Sequence, residues 1–495
     1  MKQNKSVWVL GLMLSLYSCS EIDELPLISS TSSSDTVTTR TDGDAVYDVL
    51  GYGYDVTEEY MGENSTRAKI LDVAAFDKDN PDRFDTPFLG TIDQRVYAGE
   101  DYYSFLKDLS SNSNFSGSIG SVGKADKDSG FFSGTLSTGF ESKTKYSYSS
   151  KYSFARAEVF KKQRRYYVNT DLETLKKYLS SAFIEDLNRH SADRIVEIYG
   201  THVLTNVIVG GKYIAYYKSA IIDTSNRSEK KKTVSAGAKF NLSKIGLDAN
   251  GSWSKTEITE QNNRNSNWEC HIKSIGGSTS GTSITLSPSQ GPTFTINLGD
   301  WTKSVDDQHS RLVDVNWNAT YPIYDLISDP IKKAELKDAV IRYINSKKVE
   351  ILKLIPLYEM YESWGKDRYY ITSWDAVQNE INQYGNEYRR HVGYILSEPI
   401  EDAVPFYEMY EPWGKDRYYI TSWDAVQNEI NQYGNEYRRH VGYILSEPIE
   451  DAVPFYEMYE PWGKDRYYIT SWDAVQYEIK QYKNEYRYQV GYILN

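Results

Sequence analysis

The stretch Ile195-Val-Glu-Ile-Tyr-Gly-Thr-His-Val-Leu-Thr-Asn-Val-Ile-Val-Gly-Gly-Lys-Tyr213 sets Tyr199-Gly200-Thr201-His202 ahead of a glycine pair, Gly210-Gly211, that begins eight residues after the histidine. Inside a strand, two adjacent glycines permit a sharp bend that side chains would obstruct. No nucleophile or metal partner stands near His202 in sequence, so a hydrogen-bonded structural role is expected for it.

Working outward, the chain has 495 residues, 40% hydrophobic and 25% charged, the balance of a globular protein of two to four domains. Its formal charge of -13 disfavours electrostatic capture of nucleic acid. Two cysteines exclude a disulfide framework and leave Cys270 as a lone thiol. Residues 1–18 combine Lys2 and Lys5 with the short apolar run Val7–Leu14, the pattern of a secretion signal. Leu16-Tyr17-Ser18-Cys19 resembles a lipobox, which implies acylation of Cys19 and a lipid anchor, and Ser20-Glu-Ile-Asp-Glu24 resembles an acidic tag that implies display on the outer face of the outer membrane, or release or carriage on outer-membrane vesicles. Residues 19–44, rich in Ser, Thr and Asp, read as a flexible tether.

At the other end, Tyr358-Glu-Met-Tyr-Glu-Ser-Trp-Gly-Lys-Asp-Arg-Tyr-Tyr-Ile-Thr-Ser-Trp recurs from Tyr407 and from Tyr456, a period of 49. The repeats are expected at 358–406, 407–455 and 456–495, after a linker at 349–357. Each carries strand, Trp-Gly turn, strand, helix and strand, and three units close most economically about a threefold axis as a β-rich, trefoil-like domain. Trp364, Trp413 and Trp462 are candidates for stacking on a surface glycan, with Asp367, Asp416 and Asp465 as rim partners for its hydroxyls.

Between these ends lies a segment with two periodicities. Val234, Ala236, Ala238, Phe240 and Leu242, then Ile245, Leu247, Ala249 and Trp253, alternate with polar residues on either side of Ser243-Lys244, as in a membrane-inserting β-hairpin with a polar tip. At about 3.3 Å per residue, a nine-residue strand tilted near 45° spans roughly 21 Å of bilayer. The same segment makes a helical stripe from Val234, Ala238, Leu242, Ile245, Ala249 and Trp253. Gly237, Gly246 and Gly251 are superfluous in a helix, each costing about 1 kcal/mol relative to Ala, and are expected to ease its conversion. A weaker second hairpin candidate runs through Phe115, Ile119, Phe132, Leu136 and Phe140 around a charged tip at Lys124–Asp128. A hairpin exposes unpaired edges to lipid, so insertion requires a homo-oligomeric ring.

Tyr199-Gly200-Thr201-His202 with Gly210-Gly211 resembles the signature of the membrane attack complex/perforin (MACPF) family. Leu50-Gly-Tyr-Gly-Tyr-Asp-Val-Thr and Tyr321-Pro-Ile-Tyr-Asp-Leu-Ile resemble that domain's borders. The resemblance implies an α+β domain over 45–348: a bent, twisted four-stranded antiparallel sheet flanked by helical clusters that unfurl into membrane-spanning hairpins. It is similar to secreted antimicrobial perforin-like proteins of Bacteroidales, which implies a toxin that binds a glycan or outer-membrane receptor of related bacteria and inserts into their membrane lipids. The alternative is a non-lytic adhesin that binds glycan or host protein. No catalytic motif, cofactor or metal site is expected: Asp77-Lys-Asp-Asn-Pro-Asp82 lacks the spacing and the closing glutamate of a calcium loop.

Overall fold

The computed structural model describes residues 46–113, 115, 131–139, 149–248, 266–292, 295–348, 351–449 and 452–495. Cys19, the leader and the tether lie outside the described residues, as do Ile119, Phe140, Ala249, Gly251 and Trp253. No described helix is long and apolar enough to cross a membrane.

Four long strands, β1 (Phe88–Gly99), β2 (Tyr152–Val168), β3 (Asn206–Ala220) and β4 (Ser266–Ile275), pair antiparallel in that order. The glycine pair marks the place where β3 changes partner. Up to Gly210 it pairs with the short strand Arg311–Val315, and from Lys212 it pairs with β4. Opposite the glycines the β2–β3 register slips between Lys162 and Arg164, and such a bulge bends a strand. A Cβ at Gly210 would fall 1.9 Å from the Lys161 carbonyl oxygen, so the two backbones approach as only glycine allows. A smaller sheet joins Tyr52–Tyr54, Thr66–Lys69, His202–Val203 and Tyr321–Pro322 near the expected domain borders.

Strand alternation gives the long sheet two different faces. Ala155, Ala157 and Val159 of β2, Tyr213, Ala215 and Tyr217 of β3, and Cys270 and Ile272 of β4 make one apolar face, the main core of the domain. Cys270 is a free thiol there, and burial pushes its pKa up. The opposite face carries Arg156, Glu158, Lys212 and Tyr216, all buried.

The C-terminal repeats contribute three strands and one helix each. In the second repeat these are Ala403–Glu411, Asp416–Ile420, Trp423–Asn428 and Glu436–Leu445. The first repeat begins at Leu354, inside the expected linker, because Leu354-Ile-Pro-Leu-Tyr358 takes the strand position of Ala403-Val-Pro-Phe-Tyr407. The expected threefold closure is present, built from three strands per repeat. The Tyr370 backbone N–H donates to the Tyr419 hydroxyl, that of Tyr419 to Tyr468, and that of Tyr468 back to Tyr370, each at 2.9 Å. A second ring surrounds it: the N–H groups of Arg417, Arg466 and Arg368 donate to Asp367, Asp416 and Asp465 at 2.9 Å, and each guanidinium engages the same carboxylate.

Burial raises Asp367 to about 6 and Asp416 and Asp465 to about 7, against the attraction of their arginines. Carboxyls whose folded pKa lies above the unfolded value bind more protons folded than unfolded between about pH 4 and 7. Their contribution to stability therefore falls as pH rises through that window. We expect the thermal midpoint of the repeats to be higher at pH 5 than at pH 8, and Asp416→Asn to flatten this dependence, measured by thermal unfolding of the full chain across pH.

Candidate functional site

All four strands end at one edge of the sheet. Gly99 pairs with Phe154, Tyr152 with Ala220, and Ala220 with Ser266, so the last rungs of the three ladders lie at nearly the same level. Two connections leave that edge. Residues 100–151 join β1 to β2, and residues 221–265 join β3 to β4. They contain the two hairpin candidates, so each candidate lies between neighbouring antiparallel strands.

In the second connection the expected strand alternation is not displayed: the segment is the helix α3 (Arg227–Lys244), started by Asn226, whose side chain accepts from the N–H groups of Ser228 and Glu229. The helical stripe prevails because it fits the apolar face of the sheet. Val234, Ala238, Leu242, Ile245 and Leu247 are fully buried against it, and Ala236 is buried too. Phe240 belongs to the strand face but not to the helical stripe, and it stays half-buried with the Lys244 ammonium 4.3 Å from its ring centre.

The expectation that the glycines are superfluous in the helix is corrected for two of them. A Cβ at Gly237 would fall 2.4 Å from the Tyr217 ring, so this glycine is what lets α3 lie down on β3. Gly246, at φ +88, closes the helix end, where the Leu247 N–H returns to the Leu242 carbonyl.

The first connection opens with the helix α1 (Tyr102–Asn112) and returns through Phe131, Phe132 and the short helix Gly134–Gly139, which includes Leu136. Phe115 and Phe132 do not alternate along a strand here. They are buried in an aromatic cluster with Phe131, Trp317 and His202, and the Phe115 ring lies 4.8 Å from Trp317 and 5.7 Å from His202. The signature histidine is thus part of the packing around this segment. Its Nδ1 is 3.0 Å from the Thr201 hydroxyl, its Nε2 has no hydrogen-bond partner among the described residues, and burial lowers its pKa to about 4. Tyr199 is buried against Phe183, 4.7 Å between ring centres, and Gly200 caps the helix α2 (Ala192–Tyr199) that precedes the signature.

The loop that follows the border motif Leu50–Thr57, from Val56 to Met61, fastens this first segment. Phe132 and Gly134 donate backbone N–H groups to the carbonyls of Val56 and Thr57, at 2.5 and 2.8 Å. The Tyr60 N–H donates to the Thr135 hydroxyl at 3.0 Å. The loop is in turn held by the charged face of the sheet: Arg156 donates to the Tyr60 carbonyl at 2.8 Å, Lys212 to that of Met61 at 3.0 Å, and the Tyr216 hydroxyl to Glu59. Burial, with Arg156 beside it, lowers Lys212 to about 7. The detectable signal was Arg156 and Glu158 alternating with Ala155, Ala157 and Val159 in one strand, since a buried charge requires a partner that covers it.

Among the candidate ligand-binding residues the structure separates the two types. Trp364, Trp413 and Trp462 are 73%, 86% and 85% exposed. Asp367, Asp416 and Asp465 are not rim residues: they are at most 2% exposed and taken up by arginines of neighbouring repeats. Their carboxylates approach within 4.8 Å of one another, and the guanidinium groups already meet that charge.

Because α3 rests on Tyr217 through Gly237, Gly237→Val forces the helix away from β3. We expect overpacking of about 1–3 kcal/mol and faster amide hydrogen exchange confined to residues 227–248, with the repeats unchanged.

The MAC/Perforin domain family matches residues 41–353. Among solved structures, a MAC/Perforin-domain protein from Bacteroides thetaiotaomicron superposes with a TM-score of 0.50 at 17% identity, covering 72% of this chain and 77% of that one. GNIP1Aa from Chromobacterium piscinae gives a TM-score of 0.47 at 17% identity, covering 66% of this chain and 62% of that one. No curated protein matches the chain in sequence. A family match over residues 41–353, more than half of the chain, on a bent antiparallel sheet, places this protein in the MACPF family.

Proposed function

We propose that the protein is a pore former: copies gather on a target membrane, and the two stored segments of each leave the sheet and extend its strands as β-hairpins. The observation that carries this reading is the common edge from which both segments depart. Hydrogen-bonded strands already stand at that edge in antiparallel register, so each segment has a ladder to continue. Held this way, insertion is an extension of existing pairing and needs no new fold.

The chemistry of the second segment supports the same reading. As a helix it buries Val234, Ala238 and Leu242 against the sheet, and as a strand it would present Val234, Ala236, Ala238, Phe240 and Leu242 to lipid. Backbone groups at the hairpin edges would be unsatisfied in lipid, at several kcal/mol each, so insertion demands neighbours that close a ring. The leader and Cys19 fit export as a surface lipoprotein, and the repeats fit attachment to the surface of the target, with related bacteria as targets.

Release of a trapped dye from vesicles tests the mechanism. Phe240 and Lys239 are both half-buried in the folded chain but fall on opposite faces of the extended strand. Phe240→Asp puts a charge on the lipid face and is expected to reduce leakage at least tenfold, whereas Lys239→Asp, on the lumen face, leaves it within about threefold of the parent. Equal leakage by both variants and the parent removes this segment from the pore, and no leakage from the parent on vesicles to which it binds returns the domain to the role of an adhesin scaffold.

A further inference from the structure

The three exposed tryptophans form one feature. Each is at the tip of a hairpin, in Glu362-Ser-Trp-Gly-Lys-Asp367 and its two equivalents. The Asp that ends each tip meets its two counterparts on the threefold axis, so the three tips surround one end of that axis. The perforin-like domain occupies the other end: Ser150 exchanges hydrogen bonds with the backbone of Leu354, at 2.7 and 2.9 Å, and Tyr358 donates to the Ile222 carbonyl at 2.8 Å. From Leu354 to Glu362 the strand runs eight residues, roughly 26 Å. The crown of indoles therefore stands at the free end of the molecule.

Its surroundings select among partners. A sugar stacked on an indole needs hydrogen-bonding groups at the rim. At each tip the aspartate is buried and ion-paired, and Glu362, Glu411 and Glu460, of which only Glu362 is buried, face arginines of the neighbouring repeat at 3.7, 3.7 and 3.1 Å. The Glu387 carboxylate is held by Arg389 at 3.1 Å. An indole that anchors a protein interface sits in a desolvated pocket, and lysine is depleted there. Here the neighbour of each tryptophan is an exposed lysine, Lys366, Lys415 or Lys464, held in the left-handed region at φ +59, +59 and +57. A lysine at positive φ is strained, in a position that Gly or Asn would occupy without penalty, and such strain points to a use for the side chain. Amphipathic rings beside ammonium groups on projecting tips match the headgroup region of a bilayer, with indoles at the interface and lysines on lipid phosphates.

We propose that Trp364, Trp413 and Trp462, with Lys366, Lys415 and Lys464, dock the chain directly on the phospholipid interface of its target. This rests on the reading that the repeats attach the protein to a target surface and names the bilayer itself as the partner. The crown fixes which end of the repeats meets lipid before any segment unfolds.

The test uses the chain from residue 20 onward carrying Phe240→Asp, so that docking is read apart from insertion. Flotation is measured with vesicles of phosphatidylethanolamine and phosphatidylglycerol free of glycan and protein, together with quenching of tryptophan fluorescence by brominated lipid. The expected results are binding, quenching, and at least a tenfold loss of both in Trp364→Ser/Trp413→Ser/Trp462→Ser. That variant should keep the parent's thermal midpoint, because the removed rings are exposed. Partitioning should also weaken in Lys366→Gln/Lys415→Gln/Lys464→Gln and at high salt. Binding only to vesicles that bear target glycan or receptor, or equal binding by the tryptophan variant, overturns the proposal and leaves the pore-forming reading standing. Binding by the chain with Phe240 intact, without leakage from any vesicle that it binds, has the opposite effect.

Discussion

The register of β2 against β3 is the constraint on which the rest of the domain depends. These two strands run the length of the sheet, and their pairing places the ends of β1 and β4 at the same level. The two connections that leave that edge pack back on opposite faces of the sheet. The two faces hold them differently. Its apolar face holds α3 by burial, aided by the ion pair of Lys231 with Asp108 of α1 at 2.6 Å, while its charged face holds the first segment through the loop around Tyr60, with Arg156 and Lys212 underneath.

The two devices have different physical characters. Burial is non-directional and scales with area, so α3 can shift or peel from one end without losing all its stabilisation. Hydrogen bonds from buried cations to carbonyls are directional, and losing one leaves a charged group uncovered. If the segments leave the sheet as proposed, the first would part abruptly and the second by degrees. His202 belongs to the first arrangement, in contact with Phe115.

Much of this was legible in the residues. The signature from Tyr199 to Gly211 gave the family, and the double periodicity of 234–247 marked a segment able to be helix or strand. The exact 49-residue period gave the threefold closure, because three near-identical units each have the same unsatisfied edges. Other features were not legible. Gly237 reads as a helix defect until Tyr217 is seen beneath it, since contacts between positions twenty residues apart leave no local pattern. Asp367 reads as a surface carboxylate because the arginine that buries it comes from the next copy, fifty positions away. The strand at Leu354 was hidden because its first residues depart from the repeat sequence while keeping its alternation.

The tyrosine relay from Tyr370 to Tyr419 to Tyr468 and back has a consequence for copy number. Each repeat donates to the next and accepts from the one before, so no repeat is complete by itself and none is terminal. A chain with two copies would leave one amide without its acceptor at the centre, and one hydroxyl with only its own glutamate. A fourth copy would push the axis apart and part the aspartates from their arginines. Near-identical tandem copies are free to multiply in an open solenoid, where each added unit only lengthens the stack. In a closed ring the geometry counts them, and here it counts to three.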